Sequence, residues 1–186
     1  MESAVRWSSH GGRRFLLVDV ADSSLTLNAV DVLNEQTLNY HPVAKYNKLP
    51  HFAAFAWSSV EESLVAIGHV SGNASLIRLH EDDQPSEVLT TFKIKQQRKC
   101  NSVAFNTQNW LAVAVDKTRS DVCLNIYDAG SASESQDPVR RLCAAELVSS
   151  VRFFTRQPQE LVAATQRSFI RIYDLRGSFS GPQLIE

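Results

Sequence analysis

Four stretches of the chain repeat one short pattern, alternating apolar residues that end on an aromatic: AVRW (4–7), AFAW (54–57), SVAF (102–105) and SVRF (150–153). The closing aromatics, Trp7, Trp57, Phe105 and Phe153, are 50, 48 and 48 residues apart. A second apolar run follows each: RFLLVDV (14–20), SLVAIGHV (63–70), WLAVAVD (110–116) and ELVAATQ (160–166). A third run ends on an acid, in LTLNAVD (25–31), SLIRLHE (75–81), CLNIYD (123–128) and FIRIYD (169–174). Those acids, Asp31, Glu81, Asp128 and Asp174, are 50, 47 and 46 apart. Self-similarity at such a period constrains the fold more than any single motif, because each unit must be one supersecondary module stacked on the next.

A fourth run sits between each third run and the next aromatic: QTLNYHP (36–42), VLTTFKI (88–94) and VRRLCAAE (139–146). Two-residue alternation of β-branched and aromatic residues reads as strand rather than helix. DSS (22–24), SGN (71–73), TRSD (118–121) and QRS (166–168) have turn composition, and EDDQPSE (81–87) and GSASESQDP (130–138) read as solvent loops. Four short strands per unit at this period describe a β-propeller blade, a twisted sheet whose two faces are buried only against neighbouring blades. Small residues in the second strands, Ala66, Gly68, Ala112, Ala114, Ala163 and Ala164, fit that stacking by letting sheets approach. A β-sandwich would alternate too, but has no cause to repeat one four-strand pattern. The expected fold is therefore all-β, about three complete four-stranded blades plus part of a fourth. Blade one covers about 4–42, blade two 52–95, blade three 100–146 and partial blade four 148–176, with 177–186 as a tail.

The bulk numbers agree with a globular chain: 186 residues, 44% hydrophobic, and 19 basic against 20 acidic side chains for a net charge of −1. Near-neutrality gives no global pull toward nucleic acid or anionic lipid. No apolar run approaches the roughly 18 residues that span a bilayer as a helix, and MESAVRWSSHGGRR has no signal-peptide core. Cys100, Cys123 and Cys143 lack CxxC spacing and are expected as free thiols in a reducing compartment.

Chemistry-bearing motifs are sparse. GxSxG, GxGxxG and GxxxxGK[ST] do not occur, and HisGlyGly at 10–12 reads as a Gly-rich hairpin. His10, His41, His51, His69 and His80 are scattered without ligand spacing, so no metal, cofactor or catalytic residue is expected. The run KIKQQRK (93–99), with Lys93 and Lys95 on one face, reads as a solvated strand edge or a contact for an acidic partner protein rather than a phosphate track. Arg13–Arg14 and Arg140–Arg141 lack the Phe-Arg-Arg-Gly context of membrane-binding propellers. TyrAspLeuArg (173–176) is similar to the Trp-Asp-x-Arg box by which some propellers dock on a cullin-ligase adaptor, and makes Arg176 a possible partner contact.

The island DKTRSD (116–121) lies between strands two and three of the third unit. Asp121, in this hairpin connection, reads as a structural turn residue; Lys117 and Arg119 are possible partner contacts. Asp128 and Asp174 close their strands, and Trp57, Phe105, Trp110 and Phe153 are structural repeat positions, Trp110 being expected in the core.

The endings IleTyrAsp (126–128) and IleTyrAspLeuArg (172–176) resemble the Trp-Asp ending of WD40 repeats. More narrowly, CNSVAFNTQNWLAVAVDKTRSDVCLNIYD resembles a blade of the Mios (missing oocyte) family. The matching positions are Cys100, Asn101, Ala104, Phe105, Asn106, Asn109 to Ala112, Asp116, Lys117, Arg119, Asp121 and Ile126 to Asp128. MESAVRWSSHGGRRFLLVD, LVAIGHVSGNASLIRL and LVAATQRSFIRIYDLR resemble further segments of that family in order. Phe105 and Tyr127 stand where the family has tryptophans, and the Gly-His dipeptide of standard WD repeats is absent from its usual place before strand one. The resemblance implies a scaffold in the GATOR-type assembly, called SEA in fungi, which relays amino-acid availability to the TOR kinase complex at the lysosomal or vacuolar surface. It implies other WD-repeat subunits of that complex as partners, only indirect membrane association, no nucleic acid and no small-molecule substrate. Family members are longer, with a helical solenoid and a zinc-binding module, so this chain is expected to be a piece of such a protein. The alternative is a generic WD40 adaptor, a cullin ubiquitin-ligase substrate receptor or a trafficking coat component.

Overall fold

The computed structural model describes residues 4–34, 37–49, 51–81, 84–119, 121–131, 136–143, 146–166, 169–177 and 183–184. Within the expected loops, 82–83, 132–135 and 167–168 lie outside these residues, as do 144–145 of the third unit's fourth run and 178–182 and 185–186 of the expected tail. The first strands of the four units are β1 (Ala4–Trp7), β5 (Phe52–Trp57), β9 (Cys100–Phe105) and β13 (Val148–Phe153), each ending on the repeat aromatic. The second strands are β2 (Arg14–Asp19), β6 (Leu64–His69), β10 (Trp110–Val115) and β14 (Glu160–Thr165). The third are β3 (Ser24–Asn34), β7 (Ala74–Arg78), β11 (Leu124–Asp128) and β15 (Ile170–Asp174); the fourth are β4 (Thr37–Asn47), β8 (Glu87–Phe92), β12 (Arg140–Leu142) and β16 (Gln183–Leu184). Each unit is a four-stranded antiparallel sheet in which strands pair in chain order.

The sheets stack in sequence through three apolar seams. Leu16, Val18 and Leu25 of the first sheet pack with Phe55, Val65 and Ile67 of the second. On the opposite face of β6, Leu64 and Ala66 join Val103, Leu111 and Val113 of the third sheet. On the opposite face of β10, Ala112 and Ala114 join Val151, Leu161 and Ala163 of the fourth. The burial patterns follow. All six residues of β6 are buried, as are five of six in β10, whereas β2 and β14 alternate. Sheets two and three are thus covered on both faces, and sheets one and four on one.

The small residues of β6 and β10 sit at the seam with the following sheet. A Cβ on Gly68 would collide with Cys100 Sγ and lie 3.1 Å from Cys100 Cβ and 3.2 Å from Val103 Cγ1. Phe92 and Tyr127 stack across the same seam, with ring centroids 4.3 Å apart.

Three boundaries differ from the sequence reading. The first unit does not end near residue 42: β3 and β4 each run 11 residues and pair from Ser24↔Asn47 to Asn34↔Thr37. Leu25, Leu27 and Ala44 anchor the base in the core, while Val32, Leu38 and Tyr40 are exposed along the outer half, where the alternation continues without a partner sheet. Asp31 therefore sits mid-strand, beside His41 at 3.0 Å, rather than closing the third strand. In the third unit, among the described residues, only Arg140–Leu142 pair as a fourth strand, before Cys143 enters the left-handed region at φ 58°. The expected tail contributes β16, which pairs with β15 through Arg171↔Leu184 and Ile172↔Gln183 and gives the fourth sheet a fourth strand.

Two outcomes follow from these seams. Gly68→Ala is expected to cost about 1–3 kcal/mol by overpacking, and Cys100→Ala introduced alongside it recovers part of that loss in urea unfolding. An unchanged midpoint for Gly68→Ala would show that the second and third sheets do not meet this closely. Burial also pushes the Cys100 thiol and the Tyr127 hydroxyl up to about 12. Both stay neutral in the fold while the unfolded chain ionises from about pH 8.5 for the thiol and about pH 10 for the phenol. Their contribution is complete below those values and is lost as pH rises toward 12. The urea midpoint should fall between about pH 8.5 and about pH 11; a flat profile there would contradict the burial.

Candidate interaction surface

The charged island of the third sheet is organised from beneath by Arg98, which belongs to the linker between the second and third sheets. Its side chain is only 3% exposed. Arg98 Nη2 donates to Asp121 Oδ2 and to the Val122 carbonyl, both at 2.8 Å. Nη1 reaches the Asp116 carbonyl and Thr118 Oγ1, both at 3.3 Å. Its backbone N–H donates to the Ser71 carbonyl of the second sheet at 3.2 Å. One guanidinium thus holds a surface loop of one blade while its main chain is tied to the preceding blade, a role suited to a planar fork with five donors. Gly72 is required beside it: at φ 90°, a side chain there would strike the Arg98 carbonyl.

Asp121 accepts twice. Oδ1 takes the Val122 N–H at 2.8 Å and Oδ2 takes Arg98, so the carboxylate both braces its turn and neutralises a buried cation. The run 93–99 is accordingly not a continuous solvated edge. β8 stops at Phe92, and Ile94 N–H donates to Asn73 Oδ1 at 3.2 Å. Sequence reasoning missed Arg98 because a run of Lys, Gln and Arg looks solvated. The available signal was the single long-forked cation in a linker facing an island that holds two acids and a threonine.

Lys117 and Arg119 are exposed on this loop and, among the described residues, form no ion pair. Arg176 is different: Nε donates to Asp174 Oδ1 at 2.8 Å, and Nη2 donates to Glu160 Oε1 at 2.7 Å. That bonding holds the Asp174 carboxyl down at about 2. The arginine of the ligase-like box is thereby engaged by its own blade. Asp128 accepts the Gly130 N–H at 2.9 Å and the Ser131 N–H at 3.3 Å, capping the turn that leaves β11.

The aromatic positions divide. Trp57 is 8% exposed, and its Nε1 donates to the Glu62 carbonyl at 2.6 Å. Phe105 and Phe153 are partly buried against the second and third seams. Trp110 is half-buried rather than in the core, because it lies at the start of β10, where the Asn106 carboxamide receives its N–H at 2.7 Å. Asn106 also donates to the Pro158 carbonyl of the fourth sheet at 2.7 Å, so one side chain closes a turn and crosses a seam. At the first seam, Arg14 donates to Glu62 at 3.2 Å and to Glu81 at 2.7 Å. HisGlyGly is a hairpin with Gly11 and Gly12 at φ 74° and 103°, and His10 Nε2 donates to the Ser58 carbonyl at 2.8 Å. Among the described residues, no group of three or more His, Cys, Asp or Glu is placed to hold a metal ion. No helix among them is long and apolar enough to cross a membrane.

Removing Asp121 leaves a buried guanidinium short of its anion. Asp121→Ala should therefore cost about 3 kcal/mol, the lower end of the range for breaking a buried pair, since three other acceptors remain. A turn cap alone would cost about 1 kcal/mol. A double-mutant cycle with Arg98→Met separates the two, and a coupling energy near zero would reject the pairing.

Comparison with known proteins gives consistent relatives. No protein-family model matches the chain. The zebrafish GATOR2 complex protein MIOS is 25% identical over 94% of this chain and 24% of its own length. MIOS-A of Xenopus laevis is 28% identical over 68% of this chain and 16% of its own length. Mio of Drosophila melanogaster is 24% identical over 68% of this chain and 14% of its own length. The chain thus spans about a quarter or less of these relatives. The crystal structure of Chaetomium thermophilum Sqt1, a WD40 protein, superposes with a TM-score of 0.70 at 17% identity, covering 98% of this chain and 48% of that one. In fold the chain is a set of WD40-type β-propeller blades, and its curated homologues are GATOR2 MIOS proteins.

Proposed function

We propose that this chain is part of a non-enzymatic propeller scaffold in a MIOS-like subunit of a GATOR-type complex. The observation that carries the reading is similarity to a GATOR2 MIOS protein across 94% of the chain, on a fold of stacked blades. Stacked blades supply a rigid support on which loops of different sequence are displayed, which suits recognition by several partners at once. The loop carrying Lys117 and Arg119 fits that role, since Arg98 fixes its base while its two cations face solvent. The partners proposed are other WD-repeat subunits of the assembly. The assembly's site of action is the lysosomal or vacuolar surface, reached indirectly through the complex, and its output is amino-acid control of the TOR kinase.

The runner-up, a cullin-ligase receptor or coat component, is less favoured because Arg176 is already held by Asp174 and Glu160.

Affinity purification of the endogenously tagged protein, with mass spectrometry of what is recovered, tests the assignment. Co-purification of WD-repeat GATOR-type subunits in near-equal amounts is expected. Lys117→Glu with Arg119→Glu should weaken the recovery of at least one of them. Recovery of a cullin adaptor or coat subunits instead would overturn the reading.

A further inference from the structure

The four first strands surround an axial cleft of about 390 Å³, and two arginines on opposite sides of the chain's blade series reach it. Arg6 comes from β1 and Arg152 from β13. Between them lie Asn101, Ser102 and Ser150, and an apolar wall that includes Phe55. The Arg6 guanidinium stands over the Phe55 ring, 4.8 Å from its centroid, a contact that fixes its plane and leaves its N–H edges for another acceptor.

Arg6 and Arg152 are the two cations that line this cleft, and neither is neutralised by an anion among the described residues. Arg14, Arg78, Arg98, Arg171 and Arg176 all form ion pairs. Among the described residues, Arg6 and Arg152 form none, and Arg152 donates only to the Val151 carbonyl, at 3.2 Å. Among the described residues, no carboxylate lines the cleft. Burial first, and then the charge of Arg152, pull the Arg6 pKa down, so a half-buried Arg6 and an exposed Arg152 bring two like charges to one cleft. Such a cost persists in a fold where an incoming charge offsets it, as preorganised guanidinium forks do for carboxylates and phosphates.

We propose that the axial cleft is an oxyanion seat in which Arg6 and Arg152 clamp one anionic group, with Asn101 and the neighbouring hydroxyls as further donors. The group is the carboxylate of an acidic peptide side chain or a free phosphate; both offer the paired oxygens a guanidinium fork requires. The inference concerns the cleft alone and stands whether or not the chain works in a GATOR-type assembly.

The test uses the full chain with a fluorescein-labelled hexaglutamate peptide, its hexaglutamine counterpart, and pyrophosphate. Hexaglutamate should bind at least about ten-fold more tightly than hexaglutamine, as steering by a paired charge predicts. Arg6→Gln and Arg152→Gln should each weaken it about five-fold or more, since each removes a charge-assisted contact. Arg156→Gln, an exposed arginine outside the cleft, should leave binding unchanged. Peptide binding that pyrophosphate does not displace assigns the seat to an acidic segment. Thermal stabilisation by pyrophosphate that needs both arginines, without peptide binding, assigns it to a free anion. Arg6→Gln removes the contact with the Phe55 ring as well as the charge, so its melting temperature is read beside binding to separate loss of the seat from loss of the fold. Arg152→Glu, at an exposed position, tests the seat without touching the core. Equal affinity for the two peptides together with no pyrophosphate effect, or binding indifferent to both arginines, would overturn the proposal.

Discussion

A four-stranded sheet with two apolar faces cannot bury both by itself, and this chain is organised around that fact. Each blade supplies one face to the blade before it and one to the blade after. On β6 and β10 the division is visible residue by residue. Val65 and Ile67 face the first sheet while Leu64 and Ala66 face the third. Leu111 and Val113 face the second while Ala112 and Ala114 face the fourth. Where the chain provides no further neighbour, apolar side chains remain uncovered: Val5 is 60% and Trp7 63% exposed on the first sheet, and Ile170 54% on the fourth. Trp7, Phe15 and Tyr40 form an edge-to-face row on that first outer face, with centroids 5.5 Å apart at each step.

Apolar seams are non-directional, and polar groups set how the blades register against one another. Each seam has its own device. Arg14 bridges to Glu62 and Glu81, Arg98 joins the second blade to the island of the third, and Asn106 and Ser102 bond to main-chain groups of the fourth at Pro158 and Val151. Three of these four sit beside a turn, so fixing the stack also fixes the loops. That coupling makes the scaffold reading physically economical: a loop held by the same arginine that registers two blades presents its exposed cations in one place.

The fold was legible because its period is long and its strands are short. Aromatic-closed first strands occur at matching places in all four units, and small second-strand residues in the last three, and the sheets follow them. Legibility failed where tertiary surroundings, rather than local pattern, set the outcome. β3 and β4 outrun their unit because alternation in LTLNAVDVL and TLNYHPVAKYN continues past the point where a partner sheet ends, and alternation alone does not mark that point. β16 is two residues long and carries no pattern to find. At the site, Asp121 was recognisable as a turn residue of the island DKTRSD, but its partner Arg98 was hidden in a polar linker. Trp110 looked like core because it opens an apolar run, yet the first residue of a strand lies at the blade's rim. Arg6 and Arg152 were invisible as a pair, since only the stacking of four blades brings their strands around one axis.

Native-state hydrogen exchange, read strand by strand, tests the claim that burial between neighbouring blades governs this chain. Amides of β6, β9 and β10, enclosed by sheets on both sides, should exchange slowest and only through global unfolding. Those of β14 and β2 should be less protected, and the outer half of the β3–β4 hairpin least of all. Four blades that exchange as independent units, with β6 no slower than β14, would contradict the account.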